Sequence, residues 1–368
     1  MISHTRATLE TLAQGAVDFH CHGIGRFDFT EISELQLQEI DDVLAKRGHR
    51  CILTLYLPKR HFEDFLNMME IFAEAKQAGR FPHIGGIALE GPMLASHGGT
   101  PGASVWTPDR RQWKDIASCG SKGLVYVILS PDAEIQRGPT IEWITETLLD
   151  GSVLPAPGHF LKTDPVRSAN RLQSLFDRVE SWGKCPTVTD HLFNDMPSRI
   201  KYAWRTPAER VNRATDLAAL DFDSWDISTL EEQLGPVLAV MIKAARRGTA
   251  KVCQNFDGEH VDLSIAKRAV DLVGAENMLM MTDSIESRRL GGQNLQMHKG
   301  STLLYQGEGI VAAGSQSVRR QIRNMLSIGL SAEQVTTITK LTAENLLLTR
   351  EYFVAIGKDR SESAACCA

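Results

Sequence analysis

Residues able to bind a metal or carry a proton fall at the ends of short apolar runs. Val17-Asp18-Phe19 leads into His20-Cys21-His22, and Ala88-Leu89 into Glu90-Gly91-Pro92. Pro157-Gly158 leads into His159, Val188-Thr189-Asp190 into His191, and Met281-Thr282 into Asp283. In His20-x-His22 the side chains at i and i+2 of a strand share a face, so both imidazoles can reach one metal ion. By the same alternation Asp18 should point with them, and Cys21 should point away and pack. Glu90 closes an apolar run before Gly91-Pro92, which cannot continue a strand interior. Such a carboxylate pairs with a cation, binds a metal or sits in a surface turn. Taken singly, His159, His191, His260 and Asp283 each read more readily as a satisfied core or surface residue than as a functional one. Their common placement at strand ends is what points to chemistry. A Zn2+ held by His and Glu with one open position carries hydroxide near neutral pH, and a free aspartate beside it can shuttle protons.

The elements that must position these groups alternate along the chain. Continuous aliphatic and β-branched runs predict strands at 17–22, 51–57, 83–90, 123–130, 153–159, 187–193, 251–256 and 277–283, the pattern of strands buried on both faces. Amphipathic periodicity predicts helices at 31–47, 62–78, 109–118, 140–149, 164–182, 231–247 and 262–273, then 316–328 and 332–348. Ser331 with Gln334 three residues on is a capping-box pattern for the last of these. Eight strands separated by helices predict an α/β fold, a closed (β/α)8 barrel whose carboxyl-end rim would gather the five strand ends. The expected domain is 1–350, interrupted at about 197–235 by a charged insertion carrying Trp204 and Trp225, long enough to be a lid or an interface. Residues 290–314 read as a small hairpin turning at 307–309, and 351–368 as a disordered tail.

Composition excludes several classes. The chain has 368 residues, 43% hydrophobic and 23% charged, as expected of a globular protein. A net charge of −5 argues against a nucleic-acid partner, which requires a basic field. The seven cysteines are odd in number, scattered and without a CxxC pair, which predicts reduced thiols and a cytoplasmic protein. Residues 1–14 are polar and mixed in charge, with no apolar h-region, and no run approaches the length of a membrane span, so no membrane partner is expected.

The ordered set of motifs resembles the amidohydrolase superfamily, and within it the N-acetylglucosamine-6-phosphate deacetylases. Leu89-Glu90-Gly91-Pro92 is similar to that family's Glu-Gly-Pro segment, whose glutamate is a metal ligand. Gly158-His159 and His191-Leu192-Phe193-Asn194-Asp195-Met196 resemble the segments carrying its two ligand histidines, the second usually followed by Leu-Phe/Tyr-Asn-Ala-Met. Asp257-Gly258-Glu259-His260-Val261 resembles a substrate-contacting stretch, and Met281-Thr282-Asp283 the segment whose aspartate is the acid/base. Ala313-Gly314-Ser315 and Leu341-Thr342-Ala343-Glu344-Asn345 resemble segments that follow, and His20-x-His22 matches a first-strand pair of many superfamily members.

The resemblance implies Zn2+, one or two ions, on His20, His22, Glu90, His159 and His191, with Asp283 as general acid/base. It implies substrate contacts from His260, Asn194 and Arg205. The reaction implied is removal of an N-acyl group, N-acetyl above all, from a small polar molecule such as an amino sugar or its phosphate, by a homodimer. Cyclic-amide hydrolysis, heterocycle deamination and a non-catalytic metal-binding barrel are the alternatives. Three departures concern the surroundings. The first strand begins near Val17, leaving little chain for the family's accessory β-sandwich. The family's Lys-Gly-Ala-His stretch is Pro101-Gly102-Ala103-Ser104 here, with His97 as a stand-in at a different spacing. Its phosphate-binding Arg-Glu-Pro-Gly is Arg205-Thr206-Pro207-Ala208.

Overall fold

The computed structural model describes residues 6–31, 34–135 and 138–365. All eight predicted strands form: β1 (Val17–Cys21), β2 (Arg50–Tyr56), β3 (Ile84–Glu90), β4 (Leu124–Leu129), β5 (Leu154–Pro157), β6 (Thr187–His191), β7 (Ala250–Asn255) and β8 (Met278–Met281). They are parallel and follow chain order in two ladders, β1 to β5 and β6 to β8. The ladders abut at both edges. Thr187 Oγ1 donates to the Pro155 carbonyl at 2.7 Å, tying β6 to β5. On the other side Asp283 N donates to His20 O, and His22 N to Ser284 O, each at 2.9 Å.

Parallel strands need crossover connections, and the helices supply them on the outer face. Leu53, Ile87, Trp113, Phe176, Ile242 and Ile265 belong to the core between strands and helices. A second, inner core holds Val17, Phe19, Ala88, Tyr126, Val188, Leu279 and Met281, joined by Ala343, Leu346 and Leu347 of the last helix. Period-2 alternation sorts β3 between them: Leu89 faces outward, while Ala88 and Glu90 share the inner face.

In β1 the alternation does not hold throughout. Val17 and Phe19 point inward, and the pairing with β2 shifts register between Asp18 and Cys21. Asp18 therefore does not point with His20 and His22, contrary to the simple i, i+2 expectation. Its carboxylate instead accepts from Thr282 N at 2.8 Å and Thr282 Oγ1 at 2.5 Å, within reach of Cys21 and Cys51. Cys21 packs in the outer core, as expected.

The helices differ from expectation in two places. The segment predicted as 231–247 is divided into Leu230–Leu234 and Pro236–Arg246, because Gly235 takes a φ of +99° and Pro236 starts a new helix. The helix predicted at 332–348 opens on the Ser331 capping box, widens into a π turn at Thr337–Leu341, and continues as Thr342–Ala365. That helix takes in part of the expected tail, since propagating a formed helix needs no second nucleation.

The 197–235 insertion folds into short helices, Pro207–Val211 and Arg213–Ala218 among them, and buries both Trp204 and Trp225. After β8, Leu303–Tyr305 and Val311–Gly314 pair antiparallel around the predicted turn. Among the described residues, no helix is long and apolar enough to cross a membrane.

Candidate metal centre

Glu90 lies at the centre of the site, at the carboxyl end of β3. Its Oε2 is 3.2 Å from His20 Nε2 and 3.3 Å from His22 Nε2, and those two nitrogens are 3.1 Å apart. His22 Nδ1–H donates to the Thr54 carbonyl at 3.1 Å, which turns Nε2 toward the cluster. Glu90 Oε1 accepts from Thr100 Oγ1 at 2.7 Å and lies 3.1 Å from His159 Nε2. His159 Nε2 is 3.2 Å, and His191 Nε2 3.4 Å, from Asp190 Oδ2. Two donor groups result, His20/His22/Glu90 and His159/Asp190/His191, joined through Glu90. Asp283 completes the ring, with Oδ1 3.3 Å from His22 Nε2.

All these groups are buried. Burial alone would push the Glu90 carboxyl up, but hydrogen bonds from His159, His20 and His22 reverse that and hold it well below the usual carboxylate range. Burial works against the charged forms of His22 and His159 as well. The carboxylates of Asp283 and Glu90 around His22, and of Asp190, Asp195 and Glu90 around His159, outweigh it and push both imidazoles well up. Asp283 is held down to about 2, its burial offset by the His22 hydrogen bond and the charges of His260 and His20. Positive charge is thus in demand at the centre of the cluster. Glu90 Oε2, His159 Nε2 and both Asp190 carboxylate oxygens nevertheless have no hydrogen-bond partner of good geometry. Buried polar atoms are normally paired. A set of imidazole and carboxylate donors left unpaired around one point fits a divalent cation.

The backbone at this rim is strained. His159 has φ 53°, Asp195 45° and Asp283 48°, all in the left-handed region that costs a residue with a Cβ about 1–2 kcal/mol. Each strain turns a side chain off the end of its strand toward the centre.

Beside the cluster opens a cleft of about 570 Å3, lined by His260, Asn194, Arg205, His97 and Asp283 among others. His260 Nδ1 lies 2.5 Å from Asp257 Oδ2, and Nε2 lies 3.5 Å from Asp283 Oδ2. Arg205 Nη2 donates to Asn194 Oδ1 at 2.9 Å. His97 is exposed, on the loop after β3. His20, His22, Glu90, His159 and His191 thus lie in the cluster, and Asp283, His260, Asn194, Arg205 and His97 line the cleft.

Four further residues enter the site. Asp190 reads in sequence as an ordinary strand residue, but it lies two residues after the inward-facing Val188 and shares its face. Asp195 stands where the resembled motif has alanine, a visible signal; its Oδ2 is 3.0 Å from His159 Nδ1, and its Oδ1 is 2.7 Å from Lys162 Nζ. Thr100 and Tyr56 had no sequence signal, since a hydroxyl in a loop and a tyrosine ending a strand are common.

No protein-family model and no curated protein matches the sequence. Solved structures do. N-acetyl-D-glucosamine-6-phosphate deacetylase from Mycobacterium smegmatis, determined with N-acetyl-D-glucosamine-6-phosphate bound, superposes with a TM-score of 0.63 at 19% identity, over 92% of this chain and 74% of that one. The Pasteurella multocida enzyme gives 0.66 at 14% identity, over 92% and 77%, and the Thermotoga maritima enzyme 0.64 at 16%, over 91% and 78%. This chain shares their fold. The resemblance first carried by short motifs thus extends to the path of nearly the whole chain.

Proposed function

We propose that this protein is a metal-dependent amidohydrolase that removes an N-acyl group, most simply N-acetyl, from a small polar molecule such as an amino sugar or its phosphate. The observation that carries the reading is the unpaired donor set of Glu90, His159 and Asp190 beside His20, His22 and His191, with Asp283 in contact. The eight strands are read as one closed (β/α)8 barrel presenting these groups on its rim. Zn2+ suits the donor types, and two donor groups sharing Glu90 have room for one ion or two. A divalent ion held there supplies a Lewis acid and lowers the pKa of water.

The protein's own groups do the rest. Asp283 accepts the proton of the attacking water at a carboxylate oxygen and delivers it to the departing amine nitrogen, the paired duty of a general acid/base. The Asp257 carboxylate fixes the proton on His260 Nδ1 and orients the ring, so Nε2 faces the cleft and meets a polar group of the substrate. The Arg205–Asn194 pair presents a second polar contact on the same wall. A cleft of about 570 Å3 accommodates a monosaccharide-sized molecule.

The test is a metal analysis of the purified protein with an acetate-release screen over N-acetyl amines, run beside cyclic imides and aminopurines. The expected result is bound divalent metal and acetate release, reduced roughly 10²–10⁴-fold in Asp283→Asn. A metal-loaded protein inert on every amide, or Asp283→Asn with near-normal turnover, would reject the proposal.

A further inference from the structure

Amide hydrolysis puts negative charge on the carbonyl oxygen, and a donor aimed at that oxygen is often the largest single contribution to rate. Asp283 is occupied with protons, and a donor placed beside the cluster would add to the stabilisation of that oxygen. The candidate is at the end of β2, where the sequence places no metal-ligand type.

Tyr56 is 2% exposed yet lines the cleft. Its ring stacks on His22, centroids 4.5 Å apart and planes 15° from parallel. Its hydroxyl lies 3.1 Å from His22 Nε2. The stacking places the hydroxyl over the imidazole rather than in its plane, so it does not engage the in-plane lone pair of Nε2. It is a buried donor beside the donor cluster, facing the cleft. An unpaired buried hydroxyl is costly, so it donates to whatever oxygen enters next to His22.

We propose that Tyr56 is a catalytic residue: its hydroxyl donates a hydrogen bond to the oxygen of the scissile carbonyl, sharing the charge that develops there. The assignment rests on the amide-hydrolysis reading above. It gives this chain a second hydroxyl or imidazole donor on the cleft besides His260.

The experiment compares wild type with Tyr56→Phe, which keeps the ring stacked on His22 and removes only the oxygen. Two quantities are read apart from turnover. One is the affinity for Zn2+ by chelator competition. The other is the affinity of the metal-loaded protein for methylphosphonate, a tetrahedral anion the size of the adduct formed by water and an acetyl group. Tyr56→Phe should bind Zn2+ as tightly as wild type, since the hydroxyl does not occupy the in-plane lone pair of His22 Nε2. It should bind methylphosphonate tenfold to a hundredfold more weakly, and kcat on an active amide should fall while KM changes little. Equal methylphosphonate affinity in the two proteins, or none in wild type, would overturn the proposal. Tyrosine-dependent methylphosphonate binding in a protein that cleaves no amide would uphold the hydroxyl's role and reject the deacylation reading instead.

Discussion

Gly158 precedes His159 at the tip of β5, and its missing side chain is what lets β6 approach. A Cβ built on Gly158 would sit 2.4 Å from Asp190 Cβ and 2.6 Å from Asp190 Oδ2. Non-bonded carbon atoms settle at about 3.5–4.0 Å, so Gly158→Ala forces the two strands or the Asp190 side chain apart by about 1 Å. Asp190 Oδ2 lies 3.2 Å from His159 Nε2 and 3.4 Å from His191 Nε2, so that displacement falls on the donor cluster directly. Overpacking of this kind costs about 1–3 kcal/mol of stability. A misplacement of about 1 Å costs on the order of 100-fold in turnover. The assay measures metal per chain after gel filtration, the thermal midpoint, and acetate release on the best amide. Gly102→Ala, with nothing within 4 Å of the added carbon, is the control. A Gly158→Ala protein with full metal, an unchanged midpoint and normal turnover would refute the packing argument and the place of Asp190 in the site.

Two further outcomes follow from groups around the site. Asp195→Ala removes the carboxylate 3.0 Å from His159 Nδ1, and the affinity for Zn2+ should fall tenfold to a hundredfold with the metal-free fold intact, as read by chelator competition and circular dichroism. His49 is held down to about 4, by burial first and by the charge of Arg47. Its folded pKa lies below the unfolded value of 6.5, so it adds nothing unfavourable above that pH and costs stability as pH falls from 6.5 toward 4, at about 1.4 kcal/mol per unit. Urea denaturation at pH 7 and pH 5 should therefore show a smaller loss in His49→Gln than in wild type, and equal losses would contradict it.

The strands were legible because each is a short aliphatic run buried on both faces, and no other element explains such a run between amphipathic segments. The strand-end residues were legible for the same reason: a histidine or carboxylate after an apolar run is conspicuous. Side-chain direction was less legible. In β1 and β6 the pairing shifts register. The simple alternation misplaced Asp18, while Asp190, on the inner face with Val188, went unread beside the conspicuous His191. Neither shift has a glycine or proline to announce it, because it arises from how neighbouring strands pair. The break at Gly235 was readable in principle from Gly-Pro, but the apolar periodicity runs straight across it. Tyr56 enters the site only through the path of β2, which places its hydroxyl against His22.

The two ladders give the site a mechanical meaning. His20, His22 and Glu90 ride on the five-stranded ladder, with His159 just past its last strand, while Asp190, His191 and Asp283 belong to the three-stranded one. The edges between the ladders are held by a few hydrogen bonds rather than by a continuous register. A ligand gripping donors from both sides is a clasp across those seams. Loading the site should therefore slow amide hydrogen exchange along β1, β5, β6 and β8 more than along β3 and β4, so that occupancy is felt as cohesion between the halves of the molecule as well as chemistry at its rim.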